Sequence, residues 1–156
     1  MVTISDRNFH RRLLAFYKEY GVTVTMVTLG RGTATSEVLD SFGLEAAEKA
    51  IQFAFVTGRE WKEIRSGLEK RPKIDIPGTG IAFVIPVSSI GGKKQLQFLT
   101  EGRGFEKGEE STLKDTKYEL LVVVANQGYT EYIMEAARSA NAAGGTVIHA
   151  KGTGMQ

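Results

Sequence analysis

The sequence predicts an α+β fold: one ferredoxin-like unit (βαββαβ) followed by a partial second copy (βαβ). Over the first 90 residues, hydrophobic patterns alternate in the order strand, helix, strand, strand, helix, strand. A similar strand, helix, strand pattern returns after residue 117. This order is typical of the split βαβ motif, in which an antiparallel sheet carries both helices on one face.

The first half of the predicted unit is a strand, a helix and a strand. Residues 1–5 are predicted as a strand, and Asp6 or Asn8 can cap the helix that follows. Over residues 9–20, apolar side chains recur every three or four positions, and the next residue is a glycine, which favours a helix end. Residues 22–29 alternate valine with threonine, which predicts a half-buried strand.

The second half repeats these element types in a different order. The pattern predicts a short helix within residues 35–49 and a strand over residues 50–56. Thr57 can cap a helix over residues 59–70. The apolar run at residues 81–87 predicts a fourth strand, and the proline within it indicates a strand end or an edge position.

The rest of the chain divides into a polar segment and a second patterned region. The polar segment is predicted as a linker or extended hairpin, with a possible strand at Gln95–Leu99. The second region predicts a strand over 118–125, a helix over 129–140 and a strand over 146–150. The predicted organisation is therefore a unit at 1–90, a linker or hairpin at 91–117 and a partial second unit at 118–156.

The second region matches the start of the chain residue by residue. Residues 4–9 match residues 124–129 at an offset of 120, and residues 30–33 match residues 152–154 at an offset of 122. A half unit exposes strand edges. Either residues 118–156 add strands to a sheet shared with another chain, or the natural protein continues past Gln156, which we favour.

Composition excludes several function classes. The 20 basic and 18 acidic side chains leave a formal charge of +2, which is too balanced for a dedicated nucleic-acid binder. The absence of cysteine excludes disulfide scaffolds, thiolate nucleophiles and cysteine metal sites. The 18 glycines among 156 residues exceed the usual share of about 7%. These glycines are therefore the residues whose positions need an explanation.

Two glycine-rich segments carry a family resemblance. Residues 145–156, Gly-Thr-Val-Ile-His-Ala-Lys-Gly-Thr-Gly-Met-Gln, resemble the second strand and the T-loop entry of the PII nitrogen-regulatory proteins. Residues 77–87, Pro-Gly-Thr-Gly-Ile-Ala-Phe-Val-Ile-Pro-Val, are similar to the B-loop and fourth strand of that family. Residues 30–33 are a weaker version of the first segment. Together the two units resemble a divergent tandem member of the PII-like superfamily.

The resemblance implies a signalling protein rather than an enzyme. PII proteins are trimers of ferredoxin-like units that bind adenine nucleotides between subunits, often with 2-oxoglutarate, and regulate a partner through the T-loop. We therefore expect a cytoplasmic homo-oligomer in nitrogen regulation that takes ATP, ADP or AMP as effector and holds no metal. We expect it to regulate a transporter or an enzyme, with no nucleic-acid partner and no membrane insertion.

The implied nucleotide site consists of loops whose backbone N–H groups can surround phosphate oxygens. Its residues are Gly78, Thr79 and Gly80, the loop entry Gly30, Arg31, Gly32 and Thr33, the second entry Lys151, Gly152, Thr153, Gly154 and Gln156, and the pair Lys93 and Lys94. Ile81 stands where the family has a lysine, and residues 33–49 contain no tyrosine, so uridylylation of this loop is excluded.

Two alternatives stay open at this point. One is an enzyme on a ferredoxin-like oligomeric scaffold, although no convergent acid–base set can be named in the sequence. The other is a structural oligomerisation module without a ligand, in which the glycines only supply positive φ where strands meet loops. Under the nucleotide reading, a bulkier residue at Gly80 is expected to abolish binding without unfolding the protein.

Overall fold

The computed structural model describes residues 1–31, 48–70, 80–105 and 118–152, and the statements below refer to these residues. Contacts between Cα atoms divide the chain into two compact units. Unit 1 comprises Met1–Gly108 with Ala150–Gln156, and unit 2 comprises Glu109–His149. The predicted boundaries at residues 90 and 117 stay a prediction.

The described part of unit 1 contains a five-stranded antiparallel sheet, which confirms the predicted α+β class. Its strands are β1 (Val2–Asp6), β2 (Thr25–Arg31), β3 (Glu48–Ala54), β4 (Gly80–Phe83) and β5 (Lys151–Gly152). Their spatial order is β4-β1-β3-β2-β5. Strand β1 is therefore an interior strand next to the edge strand β4, with Ile4 opposite Ile51 on one side and Ile81 on the other.

Three of the four described helices form where the amphipathic patterns predict them. The described helices are α1 (His10–Glu19), α2 (Gly58–Lys70) and α3 (Lys93–Thr100) in unit 1 and α4 (Thr130–Ser139) in unit 2. Helix α1 ends at Gly21, whose φ of 77° is costly for other residues and whose N–H donates to the Lys18 carbonyl at 3.0 Å. Asp6 accepts the Asn8 N–H at 2.8 Å in the preceding turn, so it orders the approach to α1 without capping the helix.

A capping box begins helix α2. The Thr57 hydroxyl accepts the Glu60 N–H at 3.3 Å, and the Glu60 carboxylate accepts the Thr57 N–H at 2.8 Å. The predicted cap at Thr57 is therefore confirmed, and its reciprocal partner is a buried glutamate.

Helices α1 and α2 pack into one core on the same face of the sheet. The core consists of Leu13, Phe16, Tyr17, Val22, Ala54, Ile64 and Leu68, all buried. Tyr17 reaches the sheet, where its hydroxyl lies 2.6 Å from the buried Thr3 hydroxyl. A buried hydroxyl without a partner is costly, so this hydrogen bond fixes the rotation of α1 over β1.

The two helices approach most closely at Gly67. A Cβ atom built there would lie 2.8 Å from Phe16 Cζ and would overlap the Tyr20 hydroxyl. Gly67 is therefore required by the close approach of α1 to α2, although a glycine inside a helix normally costs stability.

The segment predicted as a strand at Gln95–Leu99 is instead helix α3, so that prediction is wrong. The alternation of glutamine with apolar residues indicated a strand, but the half-buried residues are Leu96, Leu99 and Thr100, at helical spacing. Arg103 then fixes the end of α3 to the rest of unit 1. Its side chain donates to the Gly21 carbonyl and lies 3.2 Å from the Glu60 carboxylate.

Several strand predictions also need correction. Strand β4 ends at Phe83 rather than residue 87, before the proline and at the sheet edge. The strand predicted over 146–150 is wrong, because the paired residues are Lys151 and Gly152. Residues 118–125 form no strand in the described part of the chain. The helix predicted within 35–49 falls largely on residues 32–47, outside the described ranges, while Glu48 and Lys49 belong to β3.

Unit 2 reproduces the local geometry of α1. Helix α4 begins and ends 120 residues after α1. The hydrogen bond from the Gly21 N–H to the Lys18 carbonyl has its counterpart from the Asn141 N–H to the Arg138 carbonyl, at 2.9 Å. Asn141 also has a positive φ of 64°, as Gly21 does. The helix and the hydrogen bond that ends it therefore recur at the same offset of 120 residues as the sequence pattern.

Substituting Gly67 by alanine is expected to lower the free energy of unfolding by about 1–2 kcal/mol, because the added methyl group meets the Phe16 ring in the core. The matched control is Gly58→Ala, in the first turn of the same helix, where nothing lies within 4 Å of an added Cβ. Urea unfolding of both variants checks this prediction. A Gly67→Ala protein as stable as wild type would contradict the close packing.

Alkaline pH is expected to destabilise unit 1 through Tyr17. Burial raises the pKa of Tyr17 from 10.0 to about 12, partly offset by the hydrogen bond with Thr3. The unfolded chain loses this proton near pH 10 and the folded chain does not, so this contribution to stability is full below pH 10 and is lost as the pH rises towards 12.

Between pH 9 and pH 11, this contribution to the free energy of unfolding should fall by about 1 kcal/mol. Urea unfolding at both pH values, compared with Tyr17→Phe, isolates the effect from the other titrating groups. An equal loss in the variant would contradict the assignment to Tyr17.

Candidate functional site

One end of the sheet carries a row of charged residues at the end of β2. Arg31 lies opposite Glu48, and Gly30 lies opposite Lys49. Arg7 lies on the other side of Glu48 and makes two contacts with it. The Arg7 guanidinium pairs with the Glu48 carboxylate, and the Arg7 backbone N–H donates to the Glu48 carbonyl at 3.0 Å. Arg31 is exposed and makes no ion pair with a described residue.

Gly80 lies near the same end of the sheet but in a packed position. It begins β4 and pairs with Ser5, one residue before the end of β1. A Cβ atom built on Gly80 would lie 2.6 Å from the Ile4 carbonyl oxygen and 3.2 Å from Ser5 Cα. The close approach of β4 to β1 therefore requires this glycine. Because the overlap is with backbone, a bulkier residue at Gly80 is expected to strain this strand pair, and its effect on binding stays a prediction.

The second loop entry lies towards the opposite end of the sheet. Gly152 pairs with Met26 and Lys151 with Val27, near the start of β2. Gly30 lies four residues further along β2, which corresponds to about 13 Å. The two loop entries that resemble each other in sequence are therefore separated along the same strand.

The described glycines do not meet within one chain. Gly30 on β2 and Gly80 on β4 are in neighbouring rows, but β3 and β1 lie between their strands, a separation of about 14 Å. One phosphate group cannot contact both.

Lys93 and Lys94 are exposed in the first turn of α3. The described contacts between α3 and the rest of unit 1 are made at the other end of this helix. The remaining predicted site residues, Gly32, Thr33, Gly78, Thr79, Thr153, Gly154 and Gln156, lie outside the described residues.

Sequence analysis missed the ionic cluster around Arg103. Its guanidinium lies 3.2 Å from Glu60 and 3.8 Å from Glu101, and its Nε donates to the Thr100 carbonyl at 2.7 Å. The arginine and both glutamates are at most about a quarter exposed. The spacing of Thr57 and Glu60 could have indicated the capping box, but no sequence signal connects Arg103 to it. These contacts occupy the guanidinium, which favours a structural role for Arg103.

A shallow groove of about 530 Å³ lies elsewhere on unit 1, along α2. Its lining residues are Tyr20, Lys62, Glu63, Ser66, Gly67 and Lys70, none of which was predicted as a site residue. Among the described residues, no group of three histidine, aspartate or glutamate side chains is placed to hold a metal ion. None of the described helices combines the length and the apolar character that crossing a membrane requires.

Comparisons of the chain with protein-family models, with curated proteins and with solved structures find no match.

Substituting Gly80 by alanine is expected to lower the free energy of unfolding by about 1–3 kcal/mol, because the methyl group overlaps the Ile4 carbonyl. Amide exchange of Ile81–Phe83 should accelerate as β4 separates from β1. Gly91→Ala is the control, since nothing lies within 4 Å of a Cβ there. Unchanged exchange and stability in Gly80→Ala would contradict the structural role.

Proposed function

We propose that the protein is a PII-like signal-transduction protein. It binds a small anionic effector, an adenine nucleotide, in a cleft between subunits and regulates a partner protein. It is not an enzyme, and the nucleotide acts as a signal rather than as a substrate. The observation that carries the proposal is the position of Arg31, exposed beside Gly30 at the end of β2, where the loop entry is predicted.

The strand order supports the ferredoxin-like assignment. Strands β4-β1-β3-β2 stand in the order that a split βαβ unit produces, with α1 and α2 packed on the same face. The equal offset of α1 and α4, and of the hydrogen bonds that end them, supports the proposal that residues 118–152 are a partial second copy.

The face of the sheet opposite α1 and α2 supports assembly into a homo-oligomer. Side chains alternate along each strand, so the row formed by Met26, Phe53, Val2 and Phe83 points away from Thr3 and its helix. In the neighbouring row, Ile81 is 63% exposed. An apolar sheet face of this kind is typical of a subunit interface.

A cleft between subunits would bring the separated candidate residues together. The Gly30–Arg31 end of β2 in one subunit and the loop before β4 in a neighbour would be two sides of one site. Arg31 supplies a guanidinium that can bind two phosphate oxygens. The backbone of the glycine-rich loop supplies neutral donors. The departure at Ile81 removes one cation, so Arg31 carries more of the charge recognition.

Calorimetric titration of the full chain with ATP, ADP and AMP tests the proposal. At least one nucleotide should bind with a dissociation constant below millimolar, and Arg31→Ala should weaken it about tenfold through loss of a charge-assisted hydrogen bond. Arg59→Ala is the matched control, because this exposed arginine lies in the first turn of α2.

Native mass spectrometry of the same samples gives the number of chains and shows whether nucleotide is bound. Absence of binding below millimolar concentration would contradict the effector proposal and favour the ligand-free oligomerisation module. Equal weakening by Arg31→Ala and Arg59→Ala would contradict the location of the site. Turnover of a bound nucleotide would favour the enzyme alternative.

A further inference from the structure

Unit 2 exposes an unusually apolar stretch of chain. Leu120, Leu121 and Val122 are 84%, 82% and 71% exposed, and Val123 and Val124 are also more than half exposed. Val147 and Ile148, after α4, are exposed as well. Consecutive β-branched and aliphatic residues form strands that are covered on at least one face, so this surface requires a partner.

The proposed repeat identifies what covers the equivalent surface in unit 1. At an offset of 120, residues 122–126 correspond to β1. Strand β1 is paired with β3 on one side and with β4 on the other, and α1 packs against α2. In unit 1, β1 and α1 are therefore covered by a strand, a helix and a strand, which lie within residues 48–83.

Side-chain sizes show that the partner of unit 2 differs from residues 48–83. In unit 1, Phe16 and Tyr20 are so close to α2 that any side chain at position 67 would have to displace them. The residues of α4 and its end that correspond to Phe16 and Tyr20 are Ala136 and Ala140, both exposed. A helix with glycine at the Gly67 position would leave a void over these alanines. A large apolar side chain there would fill it.

We propose that residues 120–149 form a docking surface for a strand–helix–strand segment of a partner polypeptide. The two partner strands pair on either side of residues 122–126, and the partner helix places a large apolar side chain against Ala136 and Ala140. This inference rests on the repeat and not on nucleotide binding. A second copy of the chain is disfavoured, because its α2 carries Gly67.

The test uses the full chain and two probe peptides that cover residues 48–90, one with the native sequence and one carrying Gly67→Leu. Hydrogen exchange of residues 120–125 reports strand pairing, and titration gives the affinity. The Gly67→Leu peptide should slow exchange there and bind about tenfold more tightly than the native peptide, because its leucine fills the void. Exchange of β1 is the internal control, because the attached native segment outcompetes a free peptide there.

A second variant places the large side chains on the full chain instead of on the peptide. It shows whether the difference in affinity comes from the fit between the two surfaces or from the peptide alone. The full chain carrying Ala136→Phe and Ala140→Tyr should bind the native peptide more tightly than the Gly67→Leu peptide. Both alanines are exposed, so these substitutions leave the fold of the free chain intact.

Failure of both peptides to slow exchange at residues 120–125 would overturn the proposal, and so would an unchanged preference in the double variant. Slow exchange at residues 120–125 that depends on chain concentration without any peptide would identify a second copy as the occupant. That result would also overturn it.

Discussion

The hydrogen bond between the Tyr17 and Thr3 hydroxyls is the constraint from which the arrangement of unit 1 follows. Both groups are buried, so neither can exchange its partner for water, and the 2.6 Å contact fixes how α1 is rotated over β1. This rotation turns Phe16 and Tyr20 towards α2, where Gly67 permits the close approach. Both helices therefore occupy the Thr3 face of the sheet.

Local periodicity predicted the helices because each described helix of ten residues or more carries its own apolar face. It failed at residues 95–99, because the alternation of glutamine with apolar residues fits a strand as well as a helix, and only burial of Leu96, Leu99 and Thr100 distinguishes the two. Strand pairing is non-local by nature, so the sequence could indicate that residues 118–125 are strand-prone but could not indicate whether a neighbour is present. The capping box at Thr57 was predictable because both of its residues lie within one turn.

The candidate site was predicted as a set of residues but not as a geometry. Glycine serves a phosphate-binding loop and a close backbone approach equally well, and only the Ile4 carbonyl beside Gly80 distinguishes the two roles. The resemblance between the two loop entries also could not show that β5 pairs near the start of β2, far from Gly30. Arg31 is exposed at the end of β2, and its role in binding an anion stays a prediction.

The glycine at position 67 has a consequence for how the chain folds. Tandem copies of one motif expose a nascent chain to mispairing, in which one copy displaces the other from a shared complement. Helix α4 has alanines where α1 has Phe16 and Tyr20, so docking of α4 on α2 would trap a void beside Gly67. If residues 118–152 are a second copy, this less favourable packing would keep the two copies from exchanging partners although their backbones follow one plan.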